Sequence, residues 1–173
     1  MSREVLTSDL RSSAVISACG LYRYSLTREI DQSFDNPAYH GGGVLFVMLN
    51  PSTADATEND PTIRRCIGFS HAWGRDFLHV VNLYAYRATL PNTLWLVDDP
   101  IGPENDKHIE QLAEDCNLTV CAWGSPGPDA QRAKHVRGLL ENRGPVYYLR
   151  LNKDGSPGHP LYLPKALKPT RWV

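Results

Sequence analysis

The 173-residue chain lacks long apolar runs and closely spaced cysteines. No apolar stretch reaches the roughly 20 residues that a membrane-spanning helix needs, and the N-terminus has no signal-peptide hydrophobic core, so we expect a cytoplasmic protein with no membrane partner. Its four cysteines include no C-x-x-C pair, which argues against a structural zinc or an iron–sulfur cluster and favours buried, reduced thiols. The six histidines have no metal-ligand spacing either. The sequence therefore predicts no metal and no other cofactor.

The chain also has little net charge, but its charges are unevenly distributed. The formal net charge is −1, yet residues 1–128 carry 9 Lys and Arg against 16 Asp and Glu, whereas residues 129–173 carry 9 against 3. This asymmetry hints at contact with a polyanion, although a solvated basic face explains it about as well. At this length, a hydrophobic content of 42% can fill one core. We expect a single domain over 1–173, with an N-terminal edge segment (1–43) and a basic tail (151–173).

Four short apolar runs predict buried strands. They are VLFVML (44–49), LHVVNL (78–83), LTVCAW (118–123) and VYYL (146–149), and such runs of Val, Leu and aromatics are typical of parallel sheets. GLYRYSLTREI, before them, is a further candidate strand or edge segment. Helices are predicted between the runs, from Asp60-Pro61 to Gly74, at about 104–115 and at about 128–142. This order predicts an α/β fold, a three-layer α/β/α sandwich with a central, mainly parallel four-stranded sheet.

Polar residues follow the predicted strands where each of them ends. The carboxyl ends of parallel strands open on one side, and ligands of open α/β sheets bind there. Asn50 follows the first strand, Asn82 ends the second, and His159 lies beyond the fourth. Amides supply fixed donors and acceptors, and a histidine can donate to developing negative charge. Each residue alone could satisfy loop backbone instead, but their joint placement predicts a shared site.

The motifs that contain these residues resemble those of the uracil–DNA glycosylase superfamily. The similar segments are LNPS, VVNLYAYRAT and HPLYL, and the likeness is strongest to the mismatch-specific and thymine–DNA glycosylases, whose first motif is Gly-x-Asn-Pro. The string MLNPSTAD…DPTIRRC…WG…VVNLYAYRAT also resembles, over nearly the full chain, a family of small bacterial and phage-encoded proteins long described as having no known function. The first resemblance implies a uracil–DNA glycosylase-like fold and an enzyme that flips a nucleotide from the duplex and hydrolyses its N-glycosidic bond.

The resemblance also implies roles at the site. Asn50 would hold the attacking water, and His159 would donate a hydrogen bond to the departing base. Because an amide cannot take a proton, Asp55 and Asp60 are the carboxylates that could serve as base; Asp55 is the stronger rival, since Asp60 is expected to cap the helix. Asn82 would read the Watson–Crick edge of the base. The other residues expected to bind substrate are Pro51, Ser52, Trp73, Tyr84 and Tyr86, although large aromatics are more often part of the core.

DNA contacts are expected around the mouth of this pocket. Leu161 or Tyr162 would fill the gap that the flipped base leaves, unless the leucines of HPLYL pack into the core. The serine of the superfamily's usual His-Pro-Ser-Pro-Leu, which contacts phosphate, is absent here. The side chains whose positive charge could bind phosphate are Arg64, Arg65, Arg87, Lys153, Lys165 and Lys168.

Three functions are compatible with the sequence. The leading hypothesis is a monofunctional DNA glycosylase, a monomer whose partner is DNA and which removes a damaged or modified pyrimidine. Some outlying members of the superfamily act in anti-phage defence against glucosylated hydroxymethyl bases, and the resemblance implies this as a narrower role. The second hypothesis is a hydrolase or transferase acting on free nucleosides or nucleotides, which would need neither a wedge nor a basic tail. The third is a non-catalytic nucleic-acid-binding module.

Overall fold

Strands and helices alternate through most of the described chain. The structure is a computed structural model that describes residues 5–6, 12–30, 41–52 and 54–173. The strands are β1 (Val5–Leu6), β2 (Ser12–Ile16), β3 (Arg23–Glu29), β4 (Gly43–Met48), β5 (Phe77–Asn82), β6 (Leu118–Cys121), β7 (Val146–Tyr148) and β8 (Thr170–Arg171). The helices are α1 (Pro61–Ala72), α2 (Asn105–Asp115) and α3 (Ala130–Glu141), with 3-10 turns at Pro91–Leu96 and Pro160–Tyr162.

The strands form one mixed sheet in the order β1-β2-β3-β5-β4-β6-β7-β8. The four predicted strands are its centre, where β5, β4, β6 and β7 pair in parallel. The expected four-stranded sheet was too small, because antiparallel strands extend it on both sides: β3, β2 and β1 beyond β5, and β8 beyond β7. The candidate segment GLYRYSLTREI supplies β3, whereas β1, β2 and β8 are too short or too polar to be recognised from an apolar run.

Helices cover both faces of this sheet. On one face, Phe46 of β4 packs with Phe69 of α1. On the other face, Val47 of β4 packs with Ile109 of α2 and Val136 of α3. Because β4 is covered on both sides, side chains pointing in both directions are apolar, which explains its unbroken apolar run.

The bounds of α1 follow from its local sequence. The Asp60 carboxylate accepts a hydrogen bond from the backbone N–H of Ile63 at 2.8 Å, and Pro61 occupies the first turn, where no N–H is needed. The helix ends before Gly74, whose φ of 66° suits glycine. The predicted start and stop of this helix are confirmed, and α2 and α3 lie within two residues of their predicted bounds.

The strand order reverses direction at β4. The chain passes from β4 through α1 to β5 on one side, and then from β5 through α2 to β6 on the other side of β4. In open α/β sheets this reversal leaves a crevice outside the carboxyl ends of the strands. The residues that follow β4, β5 and β6 therefore meet at one place.

Candidate functional site

A cavity of about 350 Å³ opens at the carboxyl ends of β4, β5 and β6. The three polar residues expected to meet there, Asn50, Asn82 and His159, all line it. Ser52 and Tyr162, also named from the sequence, are part of the same wall. The reversal of strand order thus brings together side chains that are more than a hundred residues apart in the chain.

Asn50 presents a hydrogen-bond acceptor to the cavity. Its Nδ2 donates to the backbone carbonyl oxygens of Ala88 at 2.8 Å and Pro51 at 3.0 Å. These two bonds fix the orientation of the amide, because a flipped side chain would turn its oxygen toward two other oxygens. The carbonyl oxygen Oδ1 accepts no hydrogen bond from the described residues, so it is available to a water or a ligand.

Asn82, at the end of β5, is a buried amide without a structural partner. It is 1% exposed, and its Nδ2 has no hydrogen-bond acceptor among the described residues. Leaving a buried donor unpaired costs about 1–3 kcal/mol, so folded proteins rarely do so. Asn82 also lines the cavity, so a group bound there could supply the missing acceptor.

His159 is held in one orientation by its own turn. Its Nδ1 accepts the backbone N–H of Leu161 at 3.3 Å, capping the 3-10 turn Pro160–Tyr162. Burial lowers the pKa of the imidazole, and the negative charge of Asp60 opposes that shift only in part. With Nδ1 as the acceptor in a neutral ring, the proton is on Nε2. His159 is therefore a neutral donor.

Two charged residues of the cavity were not assigned to it from the sequence. Arg23 of β3 is 2% exposed; its Nη1 donates to the carbonyl oxygen of Ala54, and its Nε has no partner among the described residues. Burial lowers the pKa of Arg23 to about 10, and Asp60 is the charge that most opposes the shift. Asp60, predicted mainly as the helix cap and otherwise as a possible base, lines the cavity as well. The sequence feature that could have identified Arg23 is the presence of an arginine within a strand-forming segment.

The aromatic wall of the cavity differs from the predicted one. Trp123, immediately after β6, is 3% exposed and lines the cavity. Tyr162 is 79% exposed at the mouth, with its ring centroid 5.8 Å from that of His159. Trp123 was overlooked because its segment, LTVCAW, was interpreted wholly as a buried strand, whereas β6 ends at Cys121.

The three aromatic residues expected to stack on substrate lie elsewhere. Trp73 packs on Phe46 in the core, and its Nε1 donates to the carbonyl oxygen of Leu167 at 3.1 Å. Tyr84 is buried on the opposite face of the sheet, edge-on to Trp95. Tyr86 is half-buried against Tyr22. None of the three lines the cavity, and their packing agrees with the core alternative.

Pro51 and Asp55 also lie outside the cavity wall. The Pro51 ring is buried, and its backbone carbonyl accepts from Asn50 and Ala88, so it positions the loop rather than a ligand. The Asp55 carboxylate accepts the backbone N–H groups of Glu58 and Thr57, each at 2.9 Å, and these bonds lower its pKa. Its position argues against the expected role of base, because a carboxylate that closes a turn outside the cavity does not reach a water inside it.

A second groove, of about 520 Å³, runs along α1 beside the cavity. Arg64, Arg65, Leu161 and Lys165 line it, which brings four of the expected DNA-contacting residues to one surface. Leu161 and its neighbour Tyr162 belong to the 3-10 turn between groove and cavity, and both are exposed. The alternative that the leucines of HPLYL pack into the core holds for Leu163, which is buried, and not for Leu161.

The expected phosphate-binding side chains are not equivalent. Arg65 donates to the backbone carbonyl oxygens of Pro160 and Leu163 and so attaches the 3-10 turn to α1. Arg64 is exposed beside it. Arg87 donates to the carbonyl oxygen of Gly20, away from groove and cavity. Lys153 and Lys168 are exposed and line neither of them.

Thiols and possible metal ligands are dispersed. Cys66 and Cys121 are buried and Cys116 is half-buried, as expected, whereas Cys19 is exposed and the expectation was wrong for it. Among the residues that the structure describes, no group of three or more His, Cys, Asp or Glu side chains could hold a metal ion. In the same part of the chain, no helix has the length and apolar character to cross a membrane.

Comparison with known proteins gives one match. No curated protein and no solved structure matches the chain. Residues 23–161 match one protein family, and this span includes Arg23, Asn50, Asp60, Asn82 and His159 of the cavity. Because the match covers most of the chain, the protein belongs to the family described as "Protein of unknown function (DUF1643)".

Proposed function

We propose that this protein is a monofunctional DNA glycosylase that hydrolyses the N-glycosidic bond of a damaged or modified pyrimidine and leaves an abasic site. The single observation that carries the proposal is one cavity lined by an amide acceptor (Asn50), an unpaired buried amide donor (Asn82) and a neutral imidazole donor (His159). A volume of about 350 Å³ is in the range of pockets for small organic groups, which includes a nucleobase. The fold we propose is the uracil–DNA glycosylase-like sandwich.

Breaking an N-glycosidic bond requires stabilisation of the departing base. The electron pair of the bond leaves with the base, so negative charge develops on its ring and carbonyl oxygens. His159 can donate a hydrogen bond from Nε2 toward that charge because its Nδ1 is already occupied by the Leu161 N–H. A fixed donor in a partly buried site stabilises such charge more than water does.

The second requirement is a water molecule positioned to attack the sugar carbon C1′. The Asn50 Oδ1 can accept a hydrogen bond from water and so fix its position, because the two bonds of Nδ2 prevent the amide from rotating. Positioning alone accelerates a reaction by converting it into a step within one bound complex. It does not remove the proton of the water.

The third requirement is recognition of the base itself. The unpaired Nδ2 of Asn82 suits a carbonyl oxygen on the Watson–Crick edge of a pyrimidine. Trp123 and Tyr162 also line the cavity, and their rings are the aromatic surfaces there that a flipped base could contact. An amide does not by itself distinguish uracil, thymine and cytosine, so several bases must be tried. A glucosylated hydroxymethyl base, as in anti-phage defence, is the narrower proposal among them.

Double-stranded DNA would lie along the groove beside the cavity. Arg64 and Lys165 supply positive charge there, and phosphate contacts of this kind give affinity without sequence selectivity. Leu161 or Tyr162, on the turn between groove and cavity, is positioned to fill the space that a flipped nucleotide vacates. This adjacency favours DNA over free nucleosides, which would need neither the groove nor the exposed turn.

A panel of DNA substrates tests the proposal. Purified protein is incubated with oligonucleotides containing uracil, mismatched thymine and oxidised or methylated pyrimidines, and with phage DNA bearing glucosylated hydroxymethylcytosine. Alkali then cuts the strand at abasic sites. We expect cleavage with at least one substrate, and loss of cleavage in His159→Ala and Asn50→Ala with DNA affinity retained.

The same experiment separates the other two functions. Cleavage of free nucleosides or nucleotides, unaffected by Leu161→Ala and Lys165→Ala, would indicate the small-substrate enzyme instead. DNA binding without release of any base, and a biological effect that survives Asn50→Ala, would indicate a non-catalytic binding module.

A further inference from the structure

We propose that Asp60, the N-cap of α1, is the catalytic base that takes the proton of the attacking water. The inference rests on the proposed glycosylase function and adds to it a proton acceptor, a role that the Asn50 amide cannot fill. An Asn side chain orients water but has no site for its proton at neutral pH. Among the cavity-lining residues discussed above, Asp60 is the carboxylate.

The hydrogen bonds of Asp60 leave one oxygen available. Its Oδ1 accepts the backbone N–H of Ile63 at 2.8 Å, which fixes the carboxyl group at the helix N-terminus. Its Oδ2 accepts no hydrogen bond from the described residues. One oxygen therefore holds the carboxylate in place, and the other is available to a water in the cavity that Asn50 also lines.

The groups around Asp60 come from three parts of the chain. Its charge acts on Arg23 and Arg28 of β3, on Cys66 of α1 and on His159 beyond β7. Arg23 and His159 line the same cavity. An unpaired Arg23 Nε in this wall, 2% exposed as a residue, is independent evidence that the cavity is built for a ligand and not merely left open beside a helix cap.

The reaction can be written with all atoms accounted for. The bond between C1′ and the base breaks, its electron pair leaves with the base, and the developing anion accepts a hydrogen bond from His159. The water oxygen held by Asn50 forms a bond to C1′, and its proton passes to Asp60 Oδ2. The base anion then takes a proton from solvent, and Asp60 releases its proton to solvent, which restores the enzyme.

Asp60→Asn tests this role with little disturbance to the fold. Asparagine is as good an N-cap as aspartate, so its Oδ1 can still accept the Ile63 N–H. The matched control is Asp55→Asn, which also removes one carboxylate from the same loop but lies outside the cavity. Single-turnover rates of base release and DNA affinity are measured for the wild type and for both variants.

We expect Asp60→Asn to slow base release by about 10²–10⁴-fold, the usual contribution of a general base, with DNA affinity unchanged or higher. Asp55→Asn should behave as the wild type, because its carboxylate lies outside the cavity. A rate for Asp60→Asn within about 3-fold of the wild type would overturn the inference and leave the glycosylase function intact.

Two further outcomes separate this inference from the function on which it rests. If the wild type releases no base from any DNA, the glycosylase proposal and the role of Asp60 fall together. The imidazole of His159 gives a readout that needs no substrate: because Asp60 raises the pKa of His159, Asp60→Asn should lower it in an NMR titration. An unchanged His159 titration would show that the Asp60 charge does not reach the cavity, and the inference would be rejected.

Discussion

Replacing Asn82 by leucine should leave the free protein as stable as before, or more stable, while it removes activity. Leucine keeps the branching of asparagine at Cγ but carries no polar atom. An unpaired buried donor costs about 1–3 kcal/mol, and water entering the open cavity recovers part of this cost, so we expect the free energy of unfolding to rise by about 1 kcal/mol. For a chain of this length that corresponds to an increase in Tm of about 2–4 °C.

The control for this change is Asn105→Leu. Asn105 is also buried, but its Nδ2 donates to the backbone carbonyl oxygens of Asn82 and Leu83 at 3.0 and 3.1 Å. Its replacement removes both bonds, although the Leu83 oxygen keeps the Arg132 Nε donor and the unpaired Asn105 Oδ1 is removed as well, so we expect the free energy of unfolding to fall by about 1 kcal/mol. The two variants make the same chemical change at two buried sites and should shift stability in opposite directions.

Urea unfolding followed by circular dichroism tests the stability change, and the base-release assay tests the loss of activity. If Asn82→Leu lowered the free energy of unfolding by more than about 1 kcal/mol, the amide would be paired structurally, and our reasoning that it awaits a ligand would be wrong. Undiminished base release by a folded Asn82→Leu protein would refute its role in recognition.

Three other predictions concern separate parts of the molecule. Burial lowers the pKa of His159 below its ordinary 6.5, so below that pH the unfolded chain binds more protons than the folded one. The free energy of unfolding, measured with urea, should therefore fall from about pH 7 to about pH 5. It should fall less steeply in His159→Gln. Arg64→Ala should weaken DNA binding and reduce the salt slope by about 1 without changing stability, whereas Arg65→Ala should lower the free energy of unfolding by about 2 kcal/mol because it detaches the 3-10 turn from α1. A thiol reagent should modify Cys19 rapidly and the other cysteines slowly in the native state, since Cys19 is exposed and its hydrogen bond with Ser17 lowers its pKa; equal rates for all four would contradict the burial described here.

The centre of the fold was predictable because it is encoded locally. The unbroken apolar run of β4 requires cover on both faces, and Asp60-Pro61 marks the start of α1 whatever surrounds it. The outer strands were harder to predict from the sequence, because β1 and β8 are two residues long and gain their hydrogen bonds only from neighbours placed by the rest of the chain. A two-residue strand has no periodicity to detect.

The sequence predicted which polar residues meet at the site, but not which aromatic residues line it. Asn50 and Asn82 end parallel strands, so topology alone brings them together. Whether Trp73 or Trp123 faces the cavity depends on helix packing and on where β6 stops, which no local pattern specifies. The cap role of Asp60 was preferred over that of a base because a cap is visible in the sequence, whereas the cavity beside it is a tertiary feature.

The central claim, that the cavity acts on one nucleotide of DNA, is tested most directly by mass spectrometry of a DNA strand and of the surrounding solution after incubation with the protein. We predict a strand that has lost one pyrimidine base and an equal amount of that base free in solution, with neither product formed by Asn50→Ala or His159→Ala. An intact strand for every substrate of the panel, or release of base that is undiminished in both variants, would contradict the claim.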